Sequence, residues 1–406
     1  MAIMLSPAAI KARELLEDPA TTEVHFVGAD RWSIRTGGTL RLLDYAFPGG
    51  EDELVAWCNG LLIESGAAER LDGTTHVVEF SWRSPTVSAR VHIVTQPVSP
   101  VTVVTIAKQA MRPISMSELV TNDMLSAEMA ELLQVAIAGR LNLVISGGTG
   151  SGKTTFLNAL LSLCDPNERI GVIEEVPELR LPFEHAVYLY NRAVRSPRRI
   201  VEPEVLAGAL TQWATEIALA GESGQAEVSL PRFIEWLGHN MLQIQGAEAK
   251  VPVTLSSLVR ESLRMRFDRI VVGEVRGAEV IDLLGAMNSG FSGSACTMHA
   301  NAALDTVDKI QLLAAAHEAH FQPNYVLGLI SQAVDLIIYL SPPELGQHRV
   351  GEILEVAQTP ARADVITHQR LFHYEPGAGF QREASMSRTL LDRLRSRGVF
   401  IGSGQR

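Results

Sequence analysis

Cysteine is scarce: Cys58, Cys164 and Cys296 are the only three in 406 residues, far apart and odd in number. With no CxxC spacing a zinc site is not expected, and reduced thiols in a cytosol are the simplest account. Long apolar runs are missing as well. No stretch approaches the roughly 18 uninterrupted apolar residues of a membrane-crossing helix, so none is expected. The opening MAIMLSPAAIKARELLEDPA meets acidic residues early and does not read as a signal peptide. Positive charge is in deficit: 35 Lys and Arg against 46 Asp and Glu leave a formal charge of −11. Binding to nucleic-acid phosphates draws on the opposite balance, so no nucleic-acid partner is expected. One local basic cluster, Arg192, Arg195, Arg198 and Arg199 beside Pro197, reads equally well as a solvated loop or as a functional patch. Internal repeats and low-complexity tracts are absent.

What is present is apolar residue enough for full-sized cores, 46% of the chain, and length enough for two or three domains. Residues 8–17 read as a short helix, and 22–46 as a meander of strands with turn residues between them. Residues 51–66 read as an amphipathic helix with Leu54, Trp57, Leu61 and Leu62 on one side. Strands are expected again at 75–82, 87–95 and 101–107. Residues 1–107 therefore form a small α+β domain, followed by a linker at 108–126 that holds Pro113.

The pattern then changes. A helix at 127–139 leads into a fully apolar strand, Leu141 to Ile145, then a Gly-rich loop, then a helix from about Thr154 to Leu163. Buried-type strands follow at 170–173, 270–272 and 334–340. This order suits a parallel sheet covered on both faces, so the fold class is α/β, with the core at 127–345. Residues 348–356 and 366–373 read as edge strands within a C-terminal extension, 346–406, whose charged tail is a peripheral helix with a frayed end.

The loop Gly147-Gly148-Thr149-Gly150-Ser151-Gly152-Lys153-Thr154, with Thr155 after it, is the strongest chemical signal. Its backbone N–H groups, helped by the helix that follows, suit phosphate oxygens. Glycines allow the close approach, Lys153 can reach the terminal phosphates, and the Thr154 hydroxyl can ligate Mg²⁺. The bland alternative is a Gly-rich turn without a ligand; an apolar strand running in and a helix running out argue against it. The expected ligands are ATP and Mg²⁺.

Hydrolysis needs a held metal and an oriented water, and both favour carboxylates at the ends of core strands. Two strands end that way: one runs into Glu174 and Glu175, the other into Glu274. Either alone is commonly a solvated strand end; two beyond a P-loop make a site. The stretch GFSGSACTMHAN places His299 where a histidine can sense phosphate, although a lone histidine is more often structural.

In order, GGTGSGKTT, VIEEVPEL, LRMRFDRIVVGEVRG and GSACTMHAN resemble the type II/type IV secretion ATPase superfamily. Within it the chain is most similar to the tight-adherence (Flp) pilus-assembly branch, often termed CpaF-like, across roughly residues 20–345. The resemblance implies an N-terminal domain hinged to a RecA-like motor domain. It implies six subunits in a ring, cytoplasmic, held at the inner membrane through platform proteins of a pilus or secretion machine. By position it implies that Glu174 orients the attacking water, Glu274 supports Mg²⁺ and His299 lies near the γ-phosphate. Arg192, Arg264, Arg266 and Arg276 match family arginines.

The departures from the family are Glu175 for Asp, Ala107 for the Arg of an Arg-Lys pair that keeps Lys108, and Phe267 for Pro. Relative to the family, residues 193–250 include an insertion, centred on about 200–248, with two amphipathic helices. It reads as a decorated surface hairpin or as a partner-docking element. The expected function is an ATP-hydrolysing hexameric motor for pilus assembly or protein secretion. The alternatives are a DNA-translocating ring ATPase, a small-molecule kinase and a weakly hydrolysing assembly scaffold.

Overall fold

The computed structural model describes residues 6–67, 69–109, 114–195, 211, 250–317, 323–344, 346–357 and 365–399. Asn191–Thr254 forms a unit of its own, and the chain on either side of it forms the other.

The larger unit opens with α1 (Pro7–Glu17), which Ser6 caps by accepting the N–H of Ala9. Strands β1 (Thr21–Val27), β2 (Arg31–Thr36) and β3 (Thr39–Leu43) follow, then α2 (Gly50–Glu64). Three more strands complete the sheet: β4 (Val77–Arg83), β5 (Ser88–Val94) and β6 (Val103–Gln109). The spatial order is β3-β2-β1-β6-β5-β4, and every neighbouring pair is antiparallel. Period-two alternation decides the faces. Val24, Phe26, Trp32, Ile34, Val91 and Ile106 share one core with side chains of α1 and α2. The opposite face carries the cross-strand row Ser81–Arg90–Ala107–Glu23, polar except at Ala107.

The segment expected as a linker holds α3 (Met116–Thr121), which starts in a capping box between Ser115 and Glu118. Met116, Leu119, Met124 and Leu125 are buried in the core of the next sheet. Then come α4 (Ala127–Ala138), β7 (Leu143–Gly147), α5 (Lys153–Leu161), β8 (Ile170–Glu174) and β9 (Val187–Tyr190). In the smaller unit, β10 (Arg192–Arg195) pairs with β11 (Lys250–Val253) in antiparallel fashion. The helices expected at about 200–248 lie outside the described residues.

The larger unit resumes with the helix Leu255–Ser262, β12 (Arg269–Val275), the helix Glu279–Asn288 and β13 (Ala295–His299). It ends with β14 (Leu336–Glu344), β15 (Gln347–Val356), β16 (His368–Glu375), β17 (Gly379–Arg382) and the helix Arg388–Ser396. The nine-stranded order is β17-β16-β15-β14-β7-β13-β12-β8-β9. From β14 to β9 the neighbours run parallel; β15, β16 and β17 add on antiparallel.

Both faces of the parallel part are covered, which explains its unbroken apolar strands. Leu143 and Ile145 enter one core while Val144 enters the other. The strands 347–356 and 368–375 thus extend the main sheet. The terminal helix is tied beneath it by Arg393, which donates to both carboxylate oxygens of Asp335 at 2.6 and 2.8 Å. Strand β13 was not expected. It is only five residues, Ala-Cys-Thr-Met-His, and follows the small, polar stretch Ser292-Gly293-Ser294, yet it lies between β7 and β12.

Candidate active site

In an open parallel sheet, loops at the C-terminal strand ends form the ligand crevice. Here β7 ends at Gly147, β8 at Glu174, and β13 at His299, while Glu274 is the penultimate residue of β12. The register sets His299 beside Gly147. Four segments scattered over more than 150 residues of chain thereby meet at one edge.

The loop after β7 turns into α5 through Gly152, whose φ of +90° is left-handed and suits glycine. Gly152 offers no side-chain cap, so the first N–H groups of α5 lack one from this residue. Gly147 is needed for a different reason: a Cβ there would stand 2.5 Å from the Leu340 carbonyl oxygen on β14. Lys153 is 7% exposed, and its ammonium donates to the carbonyls of Gly147 and Gly148 at 3.1 and 2.8 Å. Burial lowers its pKa, an effect that Glu274 partly offsets.

From Lys153 a line of alternating groups crosses the strand ends. Its Nζ lies 3.5 Å from His299 Nδ1, and His299 Nε2 lies 2.7 Å from Glu274 Oε1. Arg276 donates to Glu274 Oε2 at 2.6 Å and lies 3.6 Å from Glu175. Burial and the Lys153 charge lower the His299 pKa, against the pull of Glu274. Nδ1 can accept from Lys153, while Nε2 stands within ion-pair distance of Glu274 Oε1, an oxygen that makes no hydrogen bond among the described residues. Burial alone would raise the Glu274 pKa, but the Arg276 hydrogen bond and the surrounding cations win and hold it low.

Glu174 is built differently. It is 3% exposed, and Oε1 accepts the N–H groups of Glu178 and Leu179, both at 2.9 Å. Its Oε2 is buried without a hydrogen-bond partner among the described residues. Burial pushes the carboxyl up to about 7, although the two N–H donors work the other way. Gly273 on the neighbouring strand makes room for it: a Cβ there would lie 2.8 Å from Glu174 Cγ. Such a carboxylate, half satisfied and titrating near neutrality, has the properties of a general base.

The cleft above these strand ends has a volume of about 840 Å³. Thr154, Thr155, Lys153, Glu274 and His299 line it from the side of the nine-stranded sheet, and Glu23, Arg90 and Lys108 from the N-terminal sheet. Arg90 was missed by sequence reasoning, because a single arginine on an alternating strand carries no motif. Its cross-strand position beside Ala107 was the available signal. Thus a cation stands next to the place where the Arg-Lys pair has lost its arginine. Lys108 Nζ donates to the Asp18 carbonyl at 2.8 Å.

Other expected residues separate from this group. Glu175 is half exposed and faces Arg276. Arg264 is exposed, before the start of β12, and pairs with Glu261 at 3.0 Å. Arg266 turns the chain with a φ of +54°. Arg192 begins β10 in the smaller unit, and its side chain lies outside the described residues. Phe267 is buried against Gly171, filling space where the resembled family has proline.

A nucleotide with Mg²⁺ fits these residues. The uncapped N-terminus of α5 and the Lys153 ammonium offer donors to phosphates, and the Thr154 hydroxyl shares the cleft with ionised Glu274. No group of three or more His, Cys, Asp or Glu side chains that could hold a metal occurs among the described residues. Mg²⁺ is commonly held by few protein ligands together with substrate phosphates, and Thr154 and Glu274 are the groups here that could contribute.

The Type II/IV secretion system protein family model matches residues 78–201 and 228–362. A Mycobacterium tuberculosis protein named for conjugal transfer is 28% identical over 388 residues, which cover 94% of this chain and 92% of that one. Among solved structures, the Legionella pneumophila ATPase DotB aligns at 15% identity and a TM-score of 0.53, over 88% of this chain and 83% of its own. The pilus retraction motor PilT, solved with bound ADP, aligns at 17% identity and a TM-score of 0.53, over 86% and 82%. These two share the fold, a RecA-like α/β motor with an N-terminal domain. With a family model matched over more than half of its length, the chain belongs to the Type II/IV secretion system protein family.

Proposed function

We propose that this protein is an ATPase motor that powers pilus assembly or protein secretion, working as a ring of six at the cytoplasmic face of the inner membrane. One observation carries the hydrolytic part of the reading. A phosphate loop and an ionised Glu274 line the cleft, and Glu174, buried with one unpartnered oxygen, lines a small pocket that also reaches Thr154 and Glu274. Bound Mg-ATP supplies a phosphoanhydride and a divalent charge that polarises it.

The protein's part follows from its own groups. The N–H groups of the loop and Lys153 hold phosphate oxygens. Thr154 and Glu274 would keep the metal, and His299 stands between Lys153 and Glu274. Glu174 orients a water and takes its proton. Arg90 and Arg276 add positive charge over the cleft, and Arg192 is assigned to the same task from its position in the motif. The domain boundary at 107 and a hinge ahead of α3 belong to this proposal, as does the tight-adherence branch; the boundaries expected at 126 and 345 do not, because α3 and Met124 pack in the core of the nine-stranded sheet and β15 pairs with β14. Attachment to the membrane is assigned to platform proteins; no described helix is long and apolar enough to cross a bilayer.

The conjugal-transfer name of the Mycobacterium relative favours a second reading, a ring ATPase that acts on DNA. Mg²⁺-dependent ATP turnover by the purified protein, with and without DNA, decides between them. Turnover indifferent to DNA supports the secretion motor, and strong stimulation by DNA supports the second reading. ATP binding without turnover would leave a scaffold.

A further inference from the structure

We propose that Ser81, Ser88 and Arg90 of the N-terminal sheet are positioning residues for Glu174, acting through the turn 177–180. The proposal rests on the reading of Glu174 as the water-orienting carboxylate. The turn has two jobs. Its backbone N–H groups at Glu178 and Leu179 both donate to Glu174 Oε1 at 2.9 Å, which sets where the carboxylate points. The rest of the turn is gripped by the other sheet. Ser81 Oγ on β4 donates to the Pro177 carbonyl at 2.7 Å, and Arg180 donates to Ser88 Oγ on β5 at 2.6 Å. Arg90 Nη1 lies 3.3 Å from Glu178 Oε1. The motor side contributes Asn158 on α5, whose Oδ1 accepts the backbone N–H of Arg180 at 3.0 Å.

The geometry makes the N-terminal sheet part of the support for the carboxylate. Ser81 and Arg90 are cross-strand neighbours, and Ser88 lies two residues from Arg90 on the same face. The turn is therefore held from both sides, by this three-point grip and by Leu179, buried in the core of the nine-stranded sheet, with Asn158 on α5. Displacing the sheet drags the Glu178 and Leu179 amides off Glu174, and the sheet's position becomes a gate on the base. The charged groups around Glu174 are Glu175 and Glu178 on its own segment, Arg83 and Arg90 on β4 and β5, and Glu274 and Arg276 at the end of β12. Loosening the turn removes two hydrogen bonds that favour the ionised form, so the acid limb of the turnover profile moves to higher pH.

The test uses the full chain and compares Ser81→Ala, Arg180→Ala and the double variant with the parent, and Ser81→Thr as the hydroxyl-retaining control. The expected result is a kcat about ten- to a hundredfold lower in the double variant, since small misplacement of a reacting group costs that much. KM for ATP stays within about twofold, the acid limb shifts upward, and Ser81→Thr restores the parent profile. Unchanged kcat and unchanged acid limb in the double variant, alongside a Glu174→Gln variant that has lost turnover, would overturn this proposal alone. Retained turnover in Glu174→Gln would overturn the assignment of the base and this proposal with it.

Discussion

The most demanding consequence of the site concerns Glu174→Gln measured in two ways. The carboxyl ordinarily titrates at 4.5 and is pushed to about 7 in the folded protein, chiefly by burial. Between those pH values the folded form binds more proton than the unfolded one, so stability falls as pH rises through the window. The loss is complete above pH 7 and is on the order of 3 kcal/mol, at about 1.4 kcal/mol for each pH unit between the two values. Glutamine keeps an oxygen for the Glu178 and Leu179 amides and carries no charge. The variant is therefore more stable than the parent at pH 8, by up to that amount, and the gap closes toward pH 4.5 and below. The same change removes the proposed proton acceptor, so turnover drops by about 10²–10⁴. In the parent, about a tenth of Glu174 is ionised at pH 6 and about nine-tenths at pH 8, so turnover rises several-fold across that interval. Chemical denaturation at pH 5 and pH 8, paired with a phosphate-release assay from pH 6 to 8, reads both effects. A variant no more stable than the parent at pH 8, with a flat turnover profile in the parent, contradicts this account of the carboxyl.

Three other changes test separate parts of the site. Lys153→Ala removes a charge-assisted donor to phosphate, and affinity for a fluorescent ATP analogue should weaken by about ten- to a hundredfold; equal affinity would detach Lys153 from nucleotide. Gly273→Ala puts a Cβ 2.8 Å from Glu174 Cγ, so kcat should fall about tenfold with the nucleotide Kd unchanged. Kinetics and titration on one preparation check this, and an unaltered kcat counts against the packing argument. Gly147→Ala drives a Cβ to 2.5 Å from the Leu340 carbonyl, a backbone atom that cannot swing aside, and should cost about 1–3 kcal/mol in thermal unfolding. A Tm equal to the parent's would mean that the strands separate there at little cost.

Much of this was legible because local physics wrote it. The apolar run before Gly147 and the helix pattern after Lys153 identify a strand, loop and helix without any tertiary knowledge. The alternation in 22–46 reads as strands because one face is buried, and Val24, Phe26, Trp32 and Ile34 are the buried set. Strand β13 was illegible: Ala295 to His299 is short, and its small polar residues are buried only because strands lie on both sides. A segment read as a linker was likewise hidden. Its Met116, Leu119, Met124 and Leu125 are ordinary in sequence and become core residues only where a second sheet receives them.

Residue type and short spacing were enough to point to a phosphate-binding loop, strand-end carboxylates and a charge balance unsuited to general nucleic-acid binding. That two glutamates of the same chemistry differ is a product of the folded chain. Glu274 meets Arg276, His299 and Lys153 and stays ionised, while Glu174 meets a glycine, two amides and little water and titrates near neutrality. The fold also sets Arg90, from a strand with no motif, over the same cleft. The reason is physical: a carboxylate's pKa and an arginine's reach are set by what lies within a few ångströms, and those neighbours come from parts of the chain that only the fold brings together.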